Sequence, residues 1–172
     1  MFNTAAADIF IPDDIPVEEA LARTSHLAIG AHSDDLEIMA YHGILDCYGY
    51  RRKDKWFTGV TATDGRGSSR SGPYSDCTDE EMSQIRQTEQ RQAAMVGKYG
   101  AMLQLGYESD LIMENDGQTI LGWMFLISWR SVSLKSFILI ILQISMIRIL
   151  RFYPPLLWPC EIYRMRNGQR RF

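Results

Sequence analysis

Cysteine is scarce in this chain, and the few cysteines lie far apart. The 172 residues include three, Cys47, Cys77 and Cys160, and no two of them form a CxxC pair. A disulfide-held extracellular fold or a thiolate zinc site needs more cysteines or closer spacing. The composition therefore argues against both classes and favours reduced thiols in the cytoplasm.

The N-terminus lacks the features of an export signal. Residues 1–14, MFNTAAADIFIPDD, contain no basic residue and no long apolar run, whereas a secretory signal peptide has both. We therefore predict a cytoplasmic protein. The net charge of −3 argues against nucleic acid as a partner, and the sequence carries no signal for a particular oligomeric state.

Acidic residues are almost absent from the last third of the chain. Residues 1–118 contain 20 Asp and Glu and 10 Lys and Arg, whereas residues 119–172 contain one acid, Glu161, and eight basic residues. A change this abrupt within one small domain needs a separate explanation. We therefore divide the chain into an α/β part, residues 1–118, and an atypical apolar and basic tail, residues 119–172.

The tail contains the longest apolar stretch, residues 134–150, LKSFILIILQISMIRIL. Lys135 and Arg148 interrupt it, so it falls short of the ~18–20 apolar residues that cross a bilayer. We predict no transmembrane span. The stretch has neither a clear helical nor a clear strand pattern, and we expect the tail to be poorly packed.

Before the tail, short apolar runs alternate with amphipathic segments. The strand candidates are HLAIGA, KWFTGVTAT and AMLQLGY, and the helix candidates are PVEEALART, DDLEIMAYHGILDCYGY and a segment from Thr78 to about Tyr99. The last begins with a capping box at Thr78–Glu81, and its apolar stripe is Met82, Ile85, Ala93, Val96 and Tyr99. The alternation predicts an α/β fold, a Rossmann-like parallel sheet with flanking helices, incomplete at the C-terminus.

Polar side chains collect where the first two strands end. His32, Asp34, Asp35 and Glu37 follow the first strand, and Asp64 follows the second. Ligands of open α/β sheets bind at the carboxyl ends of the strands, so we expect both loops to face one crevice. Imidazole and carboxylate bind Zn²⁺, and a catalytic zinc keeps one position for water. A second carboxylate can accept the proton of that water.

The same residues allow other interpretations. Asp34 or Asp35 could cap the following helix, and paired carboxylates could hold Mg²⁺ for phosphoryl transfer. The imidazole of His32 favours zinc. We expect His26 to cap the edge of the strand or face solvent, and His42 to be a packed or surface histidine of the helix.

Three motifs resemble those of a known enzyme family. AHSDDLE resembles the AHPDDxE signature of the LmbE-like/PIG-L family of zinc-dependent de-N-acetylases, with Ser33 in place of proline. VTATDGRGSS is similar to the second loop of that family, and IRQTEQRQAA to its R-x-x-E-x-x-x-A helix. The motifs occur in the order of the family and cover roughly residues 26–110.

The resemblance implies a Rossmann-like fold and hydrolysis of the acetamide of a small-molecule N-acetylglucosamine-type sugar conjugate. It implies that His32 and Asp35 bind Zn²⁺ and that Asp34 is the general base. Four further candidate site residues would lie behind the zinc ligands or near the substrate: Glu37, Asp64, Arg86 and Glu89. For Arg86 a salt bridge with Glu89 at i, i+3 is the alternative. Arg66 and Arg70 either touch an anionic substrate or are solvated.

One expected ligand is absent from the sequence. The family takes its third zinc ligand from a late HxxH-type motif, and this chain has no histidine after His42. The alternative to a deacetylase is therefore an inactive remnant that retains weak metal or sugar binding. A shift of the reading frame by one nucleotide near codon 120 offers an explanation. Codons permitted for Lys135–Ile149 encode an HxxH motif when they are read in the shifted frame. We therefore predict that residues 119–172 are out of frame.

Overall fold

The computed structural model describes residues 7–48, 54–108, 136–143 and 146–152. In these ranges lie strands β1 Asp8–Phe10, β2 His26–Gly30, β3 Phe57–Thr63, β4 Ala101–Tyr107, β5 Ser136–Gln143 and β6 Met146–Phe152. The helices are α1 Val17–Ala22, α2 Asp35–Met39, α3 Tyr41–Cys47 and α4 Asp79–Gly97, and a 3-10 turn spans Gly72–Tyr74. The predicted boundary at residues 118–119 falls outside these ranges.

The strands form one sheet in the order β1-β4-β3-β2-β5-β6. The four central strands, from β4 to β5, are mutually parallel, and β1 and β6 run antiparallel at the two edges. The α/β prediction is confirmed, but the sheet is mixed rather than purely parallel. Only two residues, 144–145, separate β5 from β6, and a connection that short permits only an antiparallel pair.

Apolar side chains cover both faces of the sheet, because neighbouring residues of a strand point to opposite sides. Leu27 and Ile29 of β2 belong to a core that includes Ala20 of α1. Ala28 of β2 belongs to a second core, on the side of α2, α3 and α4, where Leu36 is fully buried. The loop that follows β2 and carries His32, Asp34 and Asp35 therefore leaves a strand that is buried on both faces.

The predicted single helix after β2 is two helices in the structure. Ala40, with φ −102° and ψ 12°, separates α2 from α3. Leu36, Ala40 and Ile44 nevertheless all belong to the same core. No glycine or proline stands at residues 38–42, so no local signal in the sequence marks the break.

The capping box of α4 is confirmed. The Thr78 hydroxyl accepts a hydrogen bond from the Glu81 N–H at 3.2 Å, and the Glu81 carboxylate accepts one from the Thr78 N–H at 2.8 Å. The helix ends at Gly97, and Lys98 follows in the left-handed region at φ 53°. The start of the helix is therefore as the sequence predicts, and the helix ends slightly before the predicted end at about Tyr99.

The predicted apolar stripe of α4 is wrong in part. Val96 is 76% exposed, and the buried residues of the helix are Met82, Gln90 and Ala94. The buried face is thus rotated toward Gln90, a polar residue that counting apolar positions leaves out. Gln90 is accepted in the interior because its amide is hydrogen-bonded there, as described below.

The tail contributes two strands, contrary to the expectation that the stretch 134–150 has no strand pattern. β5 pairs with β2, with Leu27 opposite Phe137 and Ile29 opposite Leu139. A strand inside a parallel sheet can be apolar throughout, without alternation, because helices cover both faces of such sheets. The described ranges contain no helix with the length and apolar character of a membrane span.

Candidate metal centre

The loop after β2 folds back over the end of its own strand. A Cβ on Gly30 would lie 2.8 Å from the Cβ of Asp35, so only glycine permits this approach. The Asp35 carboxylate accepts a hydrogen bond from the His32 N–H at 2.8 Å. Asp35 is buried, with 5% of its surface exposed. The loop therefore holds Asp35 in one place, between the strand end and His32.

His32 and Asp35 face each other across this loop. The imidazole Nδ1 lies 3.7 Å from Asp35 Oδ2, and the His32 side chain is 43% exposed. Hydrogen bonding to Asp35, together with its charge and that of Asp34, raises the pKa of His32 despite partial burial. Two ligands of one tetrahedral zinc stand about 3.4 Å apart, given metal–ligand bonds of about 2.0–2.2 Å. The pair therefore fits two positions of a zinc site.

Asp34 occupies the position before α2 in an unusual conformation. Its φ is 76°, in the left-handed region, and its side chain makes no capping hydrogen bond to the helix. The interpretation of Asp34 as a simple helix cap is therefore wrong. The residue is exposed, and its N–H donates to Gln90 Oε1 at 3.3 Å. Asp34 and Asp35 are sequence neighbours in opposite environments, one exposed and one buried.

The second loop lies against the first. The Thr63 N–H and hydroxyl both donate to the Ala31 carbonyl at 2.8 Å. A Cβ on Gly65, where φ is +73°, would lie 2.8 Å from Arg86 Cγ and 3.8 Å from Ser33 Oγ. The two loops are therefore adjacent at the carboxyl ends of their strands. The crevice that both loops were expected to face stays a prediction.

The Asp64 carboxylate is hydrogen-bonded within its own loop. It accepts from the Arg66 Nε at 2.6 Å and from the Arg66 N–H at 3.1 Å. Arg66 also pairs with Glu108 at 2.8 Å. Arg70 donates to two carbonyls of the loop and pairs with Asp79. Both arginines therefore have partners within the protein, and both remain partly exposed.

Arg86 connects α4 to the second loop. Its Nε donates to Ser68 Oγ at 2.9 Å, and its NH1 pairs with Glu89 at 2.9 Å. The alternative of an i, i+3 salt bridge is therefore confirmed. A groove of about 760 Å³ runs beside this helix, lined by residues that include Tyr74, Ile85 and Glu89. Glu89 thus stands between the groove and the loop that Arg86 supports.

Glu37 is half-buried behind the loop that follows β2 and is held by two residues that the sequence did not place in the site. Its Oε1 accepts from the Tyr99 hydroxyl at 2.7 Å and from Gln90 Nε2 at 2.9 Å. Burial and the neighbouring Glu37 raise the pKa of Tyr99, so its hydroxyl stays protonated. Gln90 directly follows Glu89 of the helix motif, but nothing in the sequence shows that it faces inward.

His26 lies at the opposite end of β2 and is buried rather than facing solvent. Its Nδ1 is 2.9 Å from Ser25 Oγ, and its Nε2 is 3.1 Å from Asp46. The expectation of a solvent-facing residue is wrong, because Ser25 and Asp46 supply partners for both ring nitrogens in a buried position. His42 is exposed on α3. Neither residue joins His32.

Across the part of the chain that the structure describes, no three His, Cys, Asp or Glu side chains come together as a metal-binding group. Within the described residues, the candidate centre therefore consists of a pair, His32 and Asp35, with Asp34 next to Asp35 in the chain. No family model matches the chain, and no curated protein and no solved structure matches it either.

Proposed function

We propose that this chain carries the scaffold of a zinc-dependent hydrolase that removes the acetyl group from an N-acetylglucosamine-type sugar or a related amide. The observation that carries the proposal is the 3.7 Å separation of His32 Nδ1 from Asp35 Oδ2. This pair of residues lies at the carboxyl end of the central strand β2, where ligands of open α/β sheets bind. A Rossmann-like, doubly wound arrangement of the sheet is part of the same proposal.

Each residue of the loop has a separate role. His32 and Asp35 hold the zinc ion, which, when bound, supplies the Lewis acidity that activates water near neutral pH. Asp34, which is exposed, accepts the proton of the attacking water as the general base. A late histidine, which the 172-residue chain lacks, would give a proton to the leaving amine. Glu37 stands behind the loop, and the pair Arg86–Glu89 supports the second loop at the side where the sugar would lie.

A second candidate applies to the 172-residue chain itself, and the ligand count favours it. Two protein ligands hold zinc less firmly than the three of known catalytic sites. The three histidines of the sequence are His26, His32 and His42, and His26 is committed to the other end of β2. This form of the chain is therefore an inactive remnant that retains weak metal or sugar binding.

The reading frame that encodes the HxxH motif also changes the residues of β5. The motif falls on the codons that follow β5, and the restored chain would have a different sequence in both segments. The frameshift hypothesis therefore rests on the change of charge after residue 118 and on the late histidine that the sequence lacks.

The deciding experiment determines the nucleotide sequence of the gene and tests the restored reading frame. The nucleotides that encode residues 115–172 are translated in three frames, and one nucleotide is restored near codon 120. We expect a longer protein that binds one zinc ion and releases acetate from N-acetylglucosamine conjugates, whereas the 172-residue chain releases little or none. An absence of HxxH from all three frames, or a normal deacetylation rate of the 172-residue chain, would contradict the frameshift.

A further inference from the structure

Gln90 is a polar side chain in the interior of the protein. Only 2% of its surface is exposed, although burying an amide without hydrogen bonds is costly. Both ends of the amide are used. Nε2 donates to Glu37 at 2.9 Å, and Oε1 accepts from the Asp34 N–H at 3.3 Å. The side chain therefore connects the core to the backbone of the ligand loop.

The core side of this connection is firmly held. Glu37 Oε1 accepts from Tyr99 as well as from Gln90, and Tyr99 is 2% exposed and packs edge-on against Phe57 with ring centroids 4.7 Å apart. Within the described residues, Glu37 Oε2 has no hydrogen-bond partner. Gln90 and Tyr99 are thus the two donors that hold the Glu37 carboxylate. The hydrogen bond to Glu37 in turn holds the Gln90 amide in place.

The loop side of the connection needs support. Asp34 has φ 76°, a conformation that residues with a Cβ adopt only at a cost. Its own side chain does not stabilise the turn by capping α2. The turn separates His32 from Asp35, so its conformation sets the distance between the two proposed ligands.

We propose that Gln90 is a positioning residue of the candidate metal centre: its amide holds Asp34 in the left-handed turn that brings His32 and Asp35 together. Gln90 touches neither ligand side chain in this arrangement and acts through the Asp34 backbone. The effect on metal binding rests on the proposed function, whereas the effect on the turn does not.

The test compares three variants of the 172-residue chain by NMR and by zinc titration. Gln90→Met keeps the volume and removes both hydrogen bonds. Tyr99→Phe removes the other donor to Glu37 and leaves the bond to Asp34 in place. Gln92→Met is the matched control, because Gln92 lies on the exposed side of the same helix.

We expect Gln90→Met to speed hydrogen exchange of the Asp34 amide about tenfold, the loss of one hydrogen bond. We expect the same variant to weaken Zn²⁺ binding about tenfold, as removal of groups behind metal ligands does. Tyr99→Phe should lower the melting temperature but change neither quantity. If Gln90 had only a structural role, the exchange rate and the zinc affinity would change in proportion to the loss of melting temperature in both Gln90→Met and Tyr99→Phe.

A second measurement needs no variant. If Gln90→Met does not fold, hydrogen exchange of the unchanged chain decides. Exchange of the Asp34 amide about tenfold or more slower than that of an exposed amide supports the proposal, and exchange at the rate of an exposed amide overturns it.

The remaining outcomes are also decisive. Equal Asp34 exchange in Gln90→Met and Gln92→Met overturns the positioning role. Faster exchange with unchanged zinc affinity overturns its link to the metal. A 172-residue chain that binds no zinc at all contradicts the weak metal binding proposed for this form, and the exchange rates then decide alone whether Gln90 holds the turn.

Discussion

The two ends of strand β2 each carry a histidine beside an aspartate, and the two pairs differ in what surrounds them. At the amino end, His26 is 7% exposed and has Ser25 on one ring nitrogen and Asp46 on the other. At the carboxyl end, the His32 side chain is 43% exposed and lies 3.7 Å from Asp35.

A histidine beside an aspartate is not by itself a candidate metal site, because the surroundings of the pair decide whether an ion can reach it. Asp46 is also bonded to Lys55 at 2.6 Å, so the amino-end pair is surrounded by partners and serves the fold. The carboxyl-end imidazole is close enough to share an ion with Asp35 and open enough to admit one. The following predictions test that difference, starting with the largest expected effect.

The first prediction compares the two ends by catalysis in the restored-frame protein. Asp34→Asn removes the proposed base without removing a ligand, and we expect turnover to fall by roughly 10²–10⁴-fold. Asp46→Asn at the amino end should leave turnover nearly unchanged. Steady-state rates of acetate release measure both. If Asp34→Asn lost its zinc but kept its rate when zinc was resupplied, the roles of Asp34 and Asp35 would be reversed.

The second prediction compares the two ends by metal content. His32→Ala and Asp35→Ala each remove a proposed ligand, and we expect Zn²⁺ affinity to fall by at least about 100-fold in the restored-frame protein, since a three-ligand site then keeps two. His26→Gln should retain the metal. Metal analysis after dialysis decides, and unchanged zinc content in both ligand variants would remove the zinc assignment.

The third prediction reverses the order of the two histidines. His26→Ala leaves the buried Ser25 hydroxyl and Asp46 without their imidazole partner, and we expect the free energy of unfolding to fall by about 1–3 kcal/mol. His32→Ala removes a half-exposed side chain, and we expect a change within about 0.5 kcal/mol. Denaturant titrations of the metal-free proteins measure both. Equal losses would mean that the two pairs have the same structural role.

The fourth prediction concerns the thiol near the amino end. Burial raises the pKa of Cys47 to about 11, above its unfolded value, so the folded protein keeps a proton that the unfolded chain loses. Stability should therefore decrease slightly as the pH rises from about 9 to 11. Iodoacetamide at pH 8 should modify the less buried Cys77 before Cys47, as peptide mass analysis would show. Faster modification of Cys47 would contradict this.

Sequence patterns predict the part of the fold that local residues determine. The strands β2, β3 and β4 follow from apolar runs, and the start of α4 follows from the box of Thr78 and Glu81. The position of His32, Asp34 and Asp35 after a buried strand also follows, since strand and loop are adjacent in the chain. Each of these features depends on residues within a few positions of one another.

The features that depend on distant contacts were not predictable in the same way. The inward position of Gln90 depends on Glu37, which precedes it by 53 positions, and it rotates the buried face of α4 away from Val96. The break at Ala40 has no local signal. The burial of His26 depends on Asp46 from α3, and the strand β5 depends on the neighbouring β2 for its place in the sheet.

The close packing of Gly30 against Asp35 has a consequence for the entropy of ligand binding. With no room for a side chain between them, Asp35 packs directly on the end of β2, and its carboxylate is held by the His32 N–H. The carboxylate is therefore ordered before any ligand arrives, and the ordering cost that a mobile loop would incur on binding is already met during folding. Preorganisation of this kind makes the core of the protein, rather than the loop itself, the source of the precision of the site.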